Sequence, residues 1–218
     1  MKYIPDIHHR RSVRLKGYDY SQAGAYFITV CVHSRECIFG KIENGIMILN
    51  DFGNIVAGEW IKSAEIRDEI ELDEWVVMPN HFHGIAIIVD VSQRTRRGDR
   101  PVAPTLPVAP TLSAPQIPVA PTSSESQMPS NRKPAKSQKT ITPTGPAKKS
   151  IGALMAGFKS SVTKRINQIR NTPGEKLWQR NYYEHIIRNE NELNSIREYI
   201  IRNPSQWDSD RENPDGIM

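Results

Sequence analysis

A proline-rich segment at residues 92–149 limits how this chain can fold more than any other feature of its sequence. The hexapeptide Pro-Val-Ala-Pro-Thr-Leu occurs at 101–106 and at 107–112, and it returns in part at 118–122. Frequent prolines remove backbone donors, and the scarcity of aromatic residues leaves little apolar surface to bury. The composition therefore predicts a disordered, partly polyproline-like insert, rich in Pro, Ala, Thr and Lys, that interrupts one compact domain.

The rest of the sequence divides into four parts around this insert. We expect a basic arm at 1–23, two halves of one domain at 24–91 and 150–204, and an acidic tail at 205–218. The net charge is +5, and a basic arm and second half are compatible with a polyanionic partner, because Lys and Arg contacts to phosphates supply most sequence-independent affinity. A solvated protein surface has the same appearance.

Targeting signals and cysteine chemistry are both weak in this sequence. No apolar run reaches the roughly 18 residues of a membrane-spanning helix, and no apolar stretch follows the basic N-terminus as a signal peptide requires. We therefore expect a soluble intracellular protein with no membrane partner. Cys31 and Cys37 fit neither a disulfide framework nor a zinc site, and we interpret them as reduced thiols.

Hydrophobic periodicity and turn signals predict strands and helices in both halves. Strands are predicted at 25–32, at 41–49 as a hairpin around Asn44-Gly45, at 74–78 and at 81–89. Helices are predicted from a cap at Asn50 or Asp51 to about residue 69, from a cap at Ser150 through 169, and over 190–202.

The helix that follows Ser150 has the clearest buried stripe. Leu154, Phe158, Val162 and Ile166 recur at four-residue spacing. A short extended piece at 177–187 precedes the last helix. This order of elements favours an α+β fold of the ferredoxin-like kind, in which helices pack on a mostly antiparallel sheet.

His81 and His83 are the first candidates for chemistry. They are two residues apart on a predicted strand, so both imidazoles project from the same face, which continues as Ile85, Ile87 and Val89 and must be buried. Such a pair can hold part of a divalent metal site, but a catalytic site needs at least one further ligand. Solvated or hydrogen-bonded histidines at a strand end would give the same pattern.

The last helix could supply what the histidines lack. Tyr199 and Asn203 are four residues apart and share a helix face with Ile196, so a phenol and an amide oxygen are presented together. If that face lies over the histidines, Asn203 can complete the metal site and Tyr199 can reach a bound phosphate. Spacing alone also permits a core tyrosine and an ordinary residue before a proline.

Five segments together resemble a known family of enzymes. They are Arg10-Arg-Ser-Val-Arg-Leu-Lys-Gly-Tyr-Asp-Tyr20, Gly24-Ala-Tyr-Phe-Ile-Thr-Val30, Val77-Met-Pro-Asn-His-Phe-His83, Leu177-Trp-Gln-Arg-Asn-Tyr-Tyr-Glu-His185 and the stretch from Tyr199 to Pro204. On these segments the chain resembles the REP-associated tyrosine transposases, within the single-tyrosine HUH transposase family. The resemblance covers nearly everything except the insert and the acidic tail.

The resemblance implies a ferredoxin-like HUH domain that cleaves and rejoins single-stranded DNA through a 5′-phosphotyrosine. It implies Tyr199 as the nucleophile, with His81, His83 and Asn203 as ligands of Mg²⁺ or Mn²⁺. The implied partner is single-stranded DNA carrying a hairpin, of the REP-like palindromic kind, in the bacterial cytoplasm and at the nucleoid. Monomer and homodimer both stay open.

Other residues and other functions compete with this interpretation. Tyr182 and Tyr183 are rival nucleophiles, which we assign with Arg180 to packing or to contacts with single-stranded DNA. A further set of basic side chains could clamp phosphates or reach into a hairpin groove, and an exposed solubilising tail would have the same sequence; these are Arg10, Arg11, Arg14 and Lys16. The alternatives in function are a catalytically silent, domesticated regulator that binds hairpin DNA, and a hydrolytic phosphodiesterase. An RNA-recognition module would need an aromatic strand pattern that the sequence lacks.

Overall fold

A computed structural model of the chain describes residues 17–91 and 145–216. These residues belong to one compact unit. Most of the predicted basic arm, including Arg10, Arg11, Arg14 and Lys16, lies outside the described residues, and so do residues 92–144 of the predicted insert. None of the described helices is both long and apolar enough to cross a membrane.

The described residues form six strands and three α-helices, followed by one 3₁₀ helix. The strands are β1 (Gly24–Cys31), β2 (Gly40–Glu43), β3 (Ile46–Leu49), β4 (Ile70–Val77), β5 (His81–Ile88) and β6 (Tyr183–Ile187). The helices are α1 (Asp51–Glu65), α2 (Ile151–Arg170), α3 (Glu190–Arg202) and the 3₁₀ helix Pro204–Ser209.

The main sheet has the antiparallel ferredoxin-like topology that the order of elements predicts. Its strand order is β4-β5-β1-β6, and every neighbouring pair is antiparallel. Helix α1 joins β1 to β4 by way of the hairpin, and α2 precedes β6, which gives the chain order βαββαβ. The separate hairpin of β2 and β3 turns at Asn44 and Gly45, both of which have positive φ as a tight hairpin turn requires.

Two apolar clusters lie on opposite faces of this sheet. On one face, α1 and α2 bury Trp60, Phe82 and Phe158, with ring centroids 4.7 Å apart for Trp60 and Phe82 and 5.3 Å for Trp60 and Phe158. The predicted stripe of α2 is buried along its whole length. On the other face, α3 packs Ile200 against the sheet residues Phe27, Ile85 and Ile187. Odd-numbered residues of β5 therefore face α3.

Gly84 allows the rings behind the histidine strand to approach its backbone. A Cβ atom at this position would lie 2.7 Å from a ring carbon of Phe82 and 3.0 Å from Trp60, closer than side chains tolerate. The strand that carries His81 and His83 is thus held against the core by aromatic packing on its opposite side.

Several boundaries differ from those that the sequence predicts. Helix α1 ends at Glu65 and not near residue 69. The Ile66 N–H donates to the carbonyls of Lys62 and Ala64, and a turn follows. Strand β4 begins at Ile70 and not at residue 74, since a bulge between Leu72 and Trp75 breaks its alternation.

Burial and thiol state can also be compared with the expectations. The side chains of Ile87 and Val89 are half-buried, so the expectation that this whole face is buried is wrong beyond Ile85. Cys31 is half-buried, Cys37 is exposed, and both are free thiols, as predicted.

Candidate active site

The two histidines of β5 lie side by side on the sheet face that α3 covers. In the antiparallel register His81 is opposite Cys31, and His83 is opposite Thr29. His81 is fully buried and His83 is 4% exposed. Their Nε2 atoms are 3.0 Å apart. Two buried imidazoles therefore point their outer nitrogens at one place.

Asn80 determines which nitrogen of His81 carries the proton. Its Nδ2 donates to the backbone carbonyls of Arg35, at 2.9 Å, and Glu212, at 2.7 Å. Its Oδ1 is therefore the atom that faces Nδ1 of His81, 2.8 Å away, and it accepts the Nδ1 proton. The Nε2 atom of His81 is left with a lone pair, as in a metal-ligating histidine.

His83 is oriented by Thr29, whose Oγ1 lies 2.8 Å from its Nδ1. When this hydroxyl accepts the Nδ1 proton, the Nε2 atom of His83 also presents a lone pair. In the other tautomer of His83 the Nε2 proton donates to Nε2 of His81, 3.0 Å away, whereas two lone pairs at this distance repel each other unless a cation lies between them. Two ligand bonds of about 2.1 Å that meet a cation at a right angle would place their nitrogens about 3.0 Å apart, so the pair suits a divalent metal.

Both imidazoles are neutral, as ligation requires. Burial lowers the pKa of His81 to about 4, against the opposing charge of Asp210. Burial, and then the neighbouring His81, lowers the pKa of His83 well below its ordinary value. Neither imidazole therefore has to lose its second proton near neutral pH before a metal binds.

Asp210, in the acidic tail, adds a carboxylate to this pair. One ligand atom from each of His81, His83 and Asp210 lies within 4.8 Å of the others, and Oδ2 of Asp210 is 3.9 Å from Nε2 of His81. Its other oxygen accepts the Glu212 N–H at 2.7 Å, which leaves Oδ2 for the histidines. The sequence does not single out Asp210, because no pattern distinguishes it from the other acidic tail residues.

Tyr199 brings its hydroxyl to the same place from α3. Its oxygen is 3.3 Å from Nε2 of His83, and the two rings are in edge contact with centroids 5.2 Å apart. Burial and the charge of Asp210 raise the pKa of Tyr199, and a hydrogen bond with Asn203 partly opposes them. The side chain is still 43% exposed, so a large substrate can reach the hydroxyl.

Asn203, the last member of the predicted set, is buried with an unsatisfied oxygen. Its side chain is 2% exposed, and its Oδ1 has no hydrogen-bond partner among the described residues. Buried amide oxygens without a partner are uncommon and call for an explanation. A cation held by the neighbouring histidines would provide one.

A cavity of about 620 Å³ opens beside this cluster. Tyr199, Asn203 and His83 line it together with Tyr182 and Tyr183. The two rival tyrosines differ in environment. Tyr183 is 43% exposed and makes an edge contact with Phe27, whereas Tyr182 packs against the core on the other face.

Arg180 lies outside this cavity. It is exposed and lines an adjacent groove. Of the seven residues predicted to bind DNA, the structure therefore brings Tyr182 and Tyr183 to Tyr199, places Arg180 nearby, and does not describe the four of the basic arm.

An ion pair fixes α3, and with it Tyr199, to the sheet. Arg197 donates from Nε to Oδ1 of Asp73 at 2.7 Å and from Nη2 to Oδ2 at 2.5 Å. Asp73 lies at the bulge of β4, where this strand departs from regular alternation. The Arg197 hydrogen bonds hold the pKa of Asp73 below its usual value, although burial acts in the opposite direction.

Replacing Asp73 with asparagine should destabilise the fold by about 1–2 kcal/mol at pH 7, because the bidentate pair is partly buried. A lowered folded-state pKa adds stability above the ordinary Asp pKa of about 3.9, and this is lost as the pH falls through the folded value. Urea unfolding of the wild-type protein and Asp73→Asn should therefore differ more at pH 7 than at pH 3, which is below the ordinary Asp pKa. An equal difference at both pH values would exclude this origin.

Comparison with known proteins shows a relative at the level of sequence. The chain is 38% identical over 210 residues to an uncharacterized protein of Haemophilus influenzae, and the alignment covers 96% of each chain. No family model matches the sequence.

Two solved structures are similar at lower levels. The first is a REP-associated tyrosine transposase bound to a REP hairpin, with 16% identity, a TM-score of 0.49 and coverage of 88% of this chain and 73% of the other. The second is a Deinococcus radiodurans protein provisionally assigned as a transposase, with 13% identity, a TM-score of 0.39 and coverage of 86% and 95%.

Proposed function

This chain belongs to the same protein family as the uncharacterized Haemophilus influenzae protein, and we propose that it is a metal-dependent transesterase that cleaves and rejoins single-stranded DNA. Tyr199 is the proposed nucleophile. The proposed partner is DNA that carries a hairpin next to a single-stranded cleavage sequence, as the resemblance to REP-associated tyrosine transposases implies.

The contact between Tyr199 and His83 carries this proposal. The Tyr199 hydroxyl, 3.3 Å from the Nε2 atom of His83, belongs to the same cluster as the paired imidazole nitrogens. A tyrosine that only packs in the core does not require its hydroxyl to contact two buried, neutral histidines whose Nε2 atoms converge. A tyrosine that attacks a metal-bound phosphate does require its hydroxyl to lie beside the metal ligands.

The proposed metal site consists of His81, His83 and Asp210, with the Oδ1 atom of Asn203 as a further ligand. A bound Mg²⁺ or Mn²⁺ would neutralise charge on the nonbridging phosphate oxygens and on the leaving oxygen. The mixed nitrogen and oxygen donors suit Mn²⁺ as well as Mg²⁺. Imidazole nitrogens bind transition metals, and carboxylate and amide oxygens bind hard cations.

In the proposed reaction the Tyr199 oxygen attacks the scissile phosphorus. The new bond joins Tyr199 to the 5′-phosphate, and the bond from phosphorus to the 3′ oxygen breaks and leaves a 3′-OH. The phenol proton passes to water in the open cavity, and a proton returns to the leaving oxygen. One phosphodiester is exchanged for another, so a second 3′-OH can reverse the step without ATP.

A covalent adduct is the direct test of this function. The protein is incubated with Mn²⁺ and labelled hairpin oligonucleotides that carry single-stranded extensions, and the products are separated on a denaturing gel. We expect labelled DNA that migrates with the protein and disappears when EDTA replaces Mn²⁺. Cleavage without an adduct would indicate a hydrolytic phosphodiesterase, and binding without cleavage would indicate a silent hairpin-binding regulator.

Asp210 offers a sharper test of the metal site, because the sequence alone did not predict its role. Replacing Asp210 with alanine should weaken Mn²⁺ binding about tenfold or more by removing the anionic ligand. Calorimetric titration of the wild-type protein, Asp210→Ala and Asp208→Ala gives the comparison, since Asp208 is an acidic neighbour outside the cluster. Equal affinities for all three proteins would remove Asp210 from the site.

A further inference from the structure

A second, basic groove lies beside the Tyr199 cavity. It has a volume of about 1190 Å³ and runs between α2 and the segment 173–180. Four cationic side chains line it against a single carboxylate, Glu175. The cationic residues are Lys159, Lys164, Lys176 and Arg180. We call this cavity the basic groove.

Gln179 forms the boundary between the basic groove and the Tyr199 cavity and lines both. Its backbone N–H donates to the carbonyl of Cys31 at 2.9 Å, and Val32 forms a β-bridge with Trp178. The shared wall is therefore attached to the end of β1, the strand that also carries Thr29 of the active site. A chain molecule that leaves one cavity at Gln179 enters the other.

The basic groove is a built feature, not a set of scattered surface lysines. The Nζ atom of Lys159 donates to the carbonyls of Gln179 at 2.7 Å and Arg180 at 3.3 Å, which ties α2 to the opposite wall. Asn167 donates from Nδ2 to the Glu175 carbonyl at 2.8 Å and closes the other end in the same way. The two walls are thus held at a fixed separation.

The two cavities differ in charge, and each could hold a different part of a polyanion. Asp210 and Glu212 line the Tyr199 cavity with Arg211, so that cavity needs a metal before it can accept a phosphate. The basic groove already carries a cationic excess. Two aromatic rings line it: Trp178 is 6% exposed and cannot stack on a base, whereas His33 is exposed. The four cationic side chains favour contacts to phosphates in this groove.

We propose that the basic groove binds the sugar–phosphate backbone of the single strand that extends from the scissile phosphate. This inference rests on the proposed function, because it takes the Tyr199 cavity as the site of cleavage. Lys164 and Lys176 have no structural bond to the groove walls among the described contacts, so they are the side chains most available for phosphates. Contacts of this kind do not depend on base sequence.

The test compares two variants of equal charge change in full-length protein carrying Tyr199→Phe, so that no covalent product complicates binding. One variant is Lys164→Gln with Lys176→Gln. The matched control is Lys41→Gln with Lys62→Gln, because these two lysines are exposed and line neither cavity. Fluorescence anisotropy measures the affinity of each for a hairpin with a single-stranded extension and for the same hairpin without one.

We expect the groove variant to bind the extended hairpin about tenfold more weakly and to reduce the slope of log affinity against log salt by about 1.4, as loss of two single-strand phosphate contacts predicts. The control and the hairpin without extension should change little. An unchanged affinity in the groove variant, an equal loss in the control, or an equal loss for the blunt hairpin would overturn the inference.

Failure of this inference can be told apart from failure of the proposed function. Wild-type protein that forms the covalent adduct while the groove variant binds normally would overturn the groove assignment alone. Protein that forms no adduct but loses strand binding in the groove variant would overturn the cleavage chemistry and keep the groove as a strand-binding site.

Discussion

Replacing Tyr199 with phenylalanine should reduce the covalent protein–DNA adduct about a thousandfold or more, because the change removes the attacking oxygen and no other group takes its place. The phenyl ring can keep its contacts with Phe27 and His83. The ion pair of Arg197 with Asp73 still anchors the helix. Hairpin binding should therefore remain within about twofold of the wild-type value.

Tyr183→Phe is the matched control for this experiment. Tyr183 lines the same cavity as Tyr199 and has the same exposed fraction, 43%, so each change removes one tyrosine hydroxyl from the same cavity, but only Tyr199 contacts His83. We expect the Tyr183→Phe protein to keep its adduct. An adduct that persists in Tyr199→Phe, or one that vanishes in Tyr183→Phe, would reassign the nucleophile.

Replacing His83 with alanine should have the second large effect, a loss of Mn²⁺ affinity of about a hundredfold or more. His83 is the residue that touches both the second histidine and the tyrosine, through a single Nε2 atom. Removing His83 takes away one proposed ligand and leaves the His81 imidazole free to reorient. Adduct formation should fall to background, while hairpin binding in EDTA should be nearly unchanged.

Thermal unfolding distinguishes this loss of ligation from a loss of folding. A metal that binds only the folded chain raises the melting temperature, by an amount that grows with the logarithm of the metal concentration divided by its Kd. Mn²⁺ should raise the melting temperature of the wild-type protein and of His33→Ala, whose imidazole is exposed and does not belong to the ligand cluster. It should not raise that of His83→Ala. An equal increase in all three proteins would place the metal elsewhere.

Local signals were sufficient to predict the helices that follow the proline-rich insert. The Ser150 hydroxyl accepts the Ala153 N–H, as a predicted cap should, and α3 ends immediately before Asn203 and Pro204. These features depend on residues close in sequence. Strand β4 was harder, because Asp73 turns inward to bind Arg197 from a distant helix, and a period-two pattern cannot reveal such a partner.

The candidate site also has one part that local sequence predicts and another that depends on distant contacts. The proximity of His81 and His83 follows from alternation along one strand, whereas their approach to Tyr199 depends on how α3 packs across the sheet. Spacing permitted that contact, and only the family resemblance made it the expected one. Asp210 reaches the histidines through the 3₁₀ turn after Pro204, and neither periodicity nor the resemblance pointed to it.

Asn80 makes the chain's C-terminal tail part of the histidine chemistry. One of the two acceptors that orient its amide is the carbonyl of Glu212, and the other is that of Arg35. A chain truncated before Glu212 would lose half of this restraint, and the amide could turn over and offer its NH₂ group to His81. His81 would then accept at Nδ1 and carry its proton on Nε2. The tail therefore helps to fix the tautomer of His81, which lies many residues away in sequence.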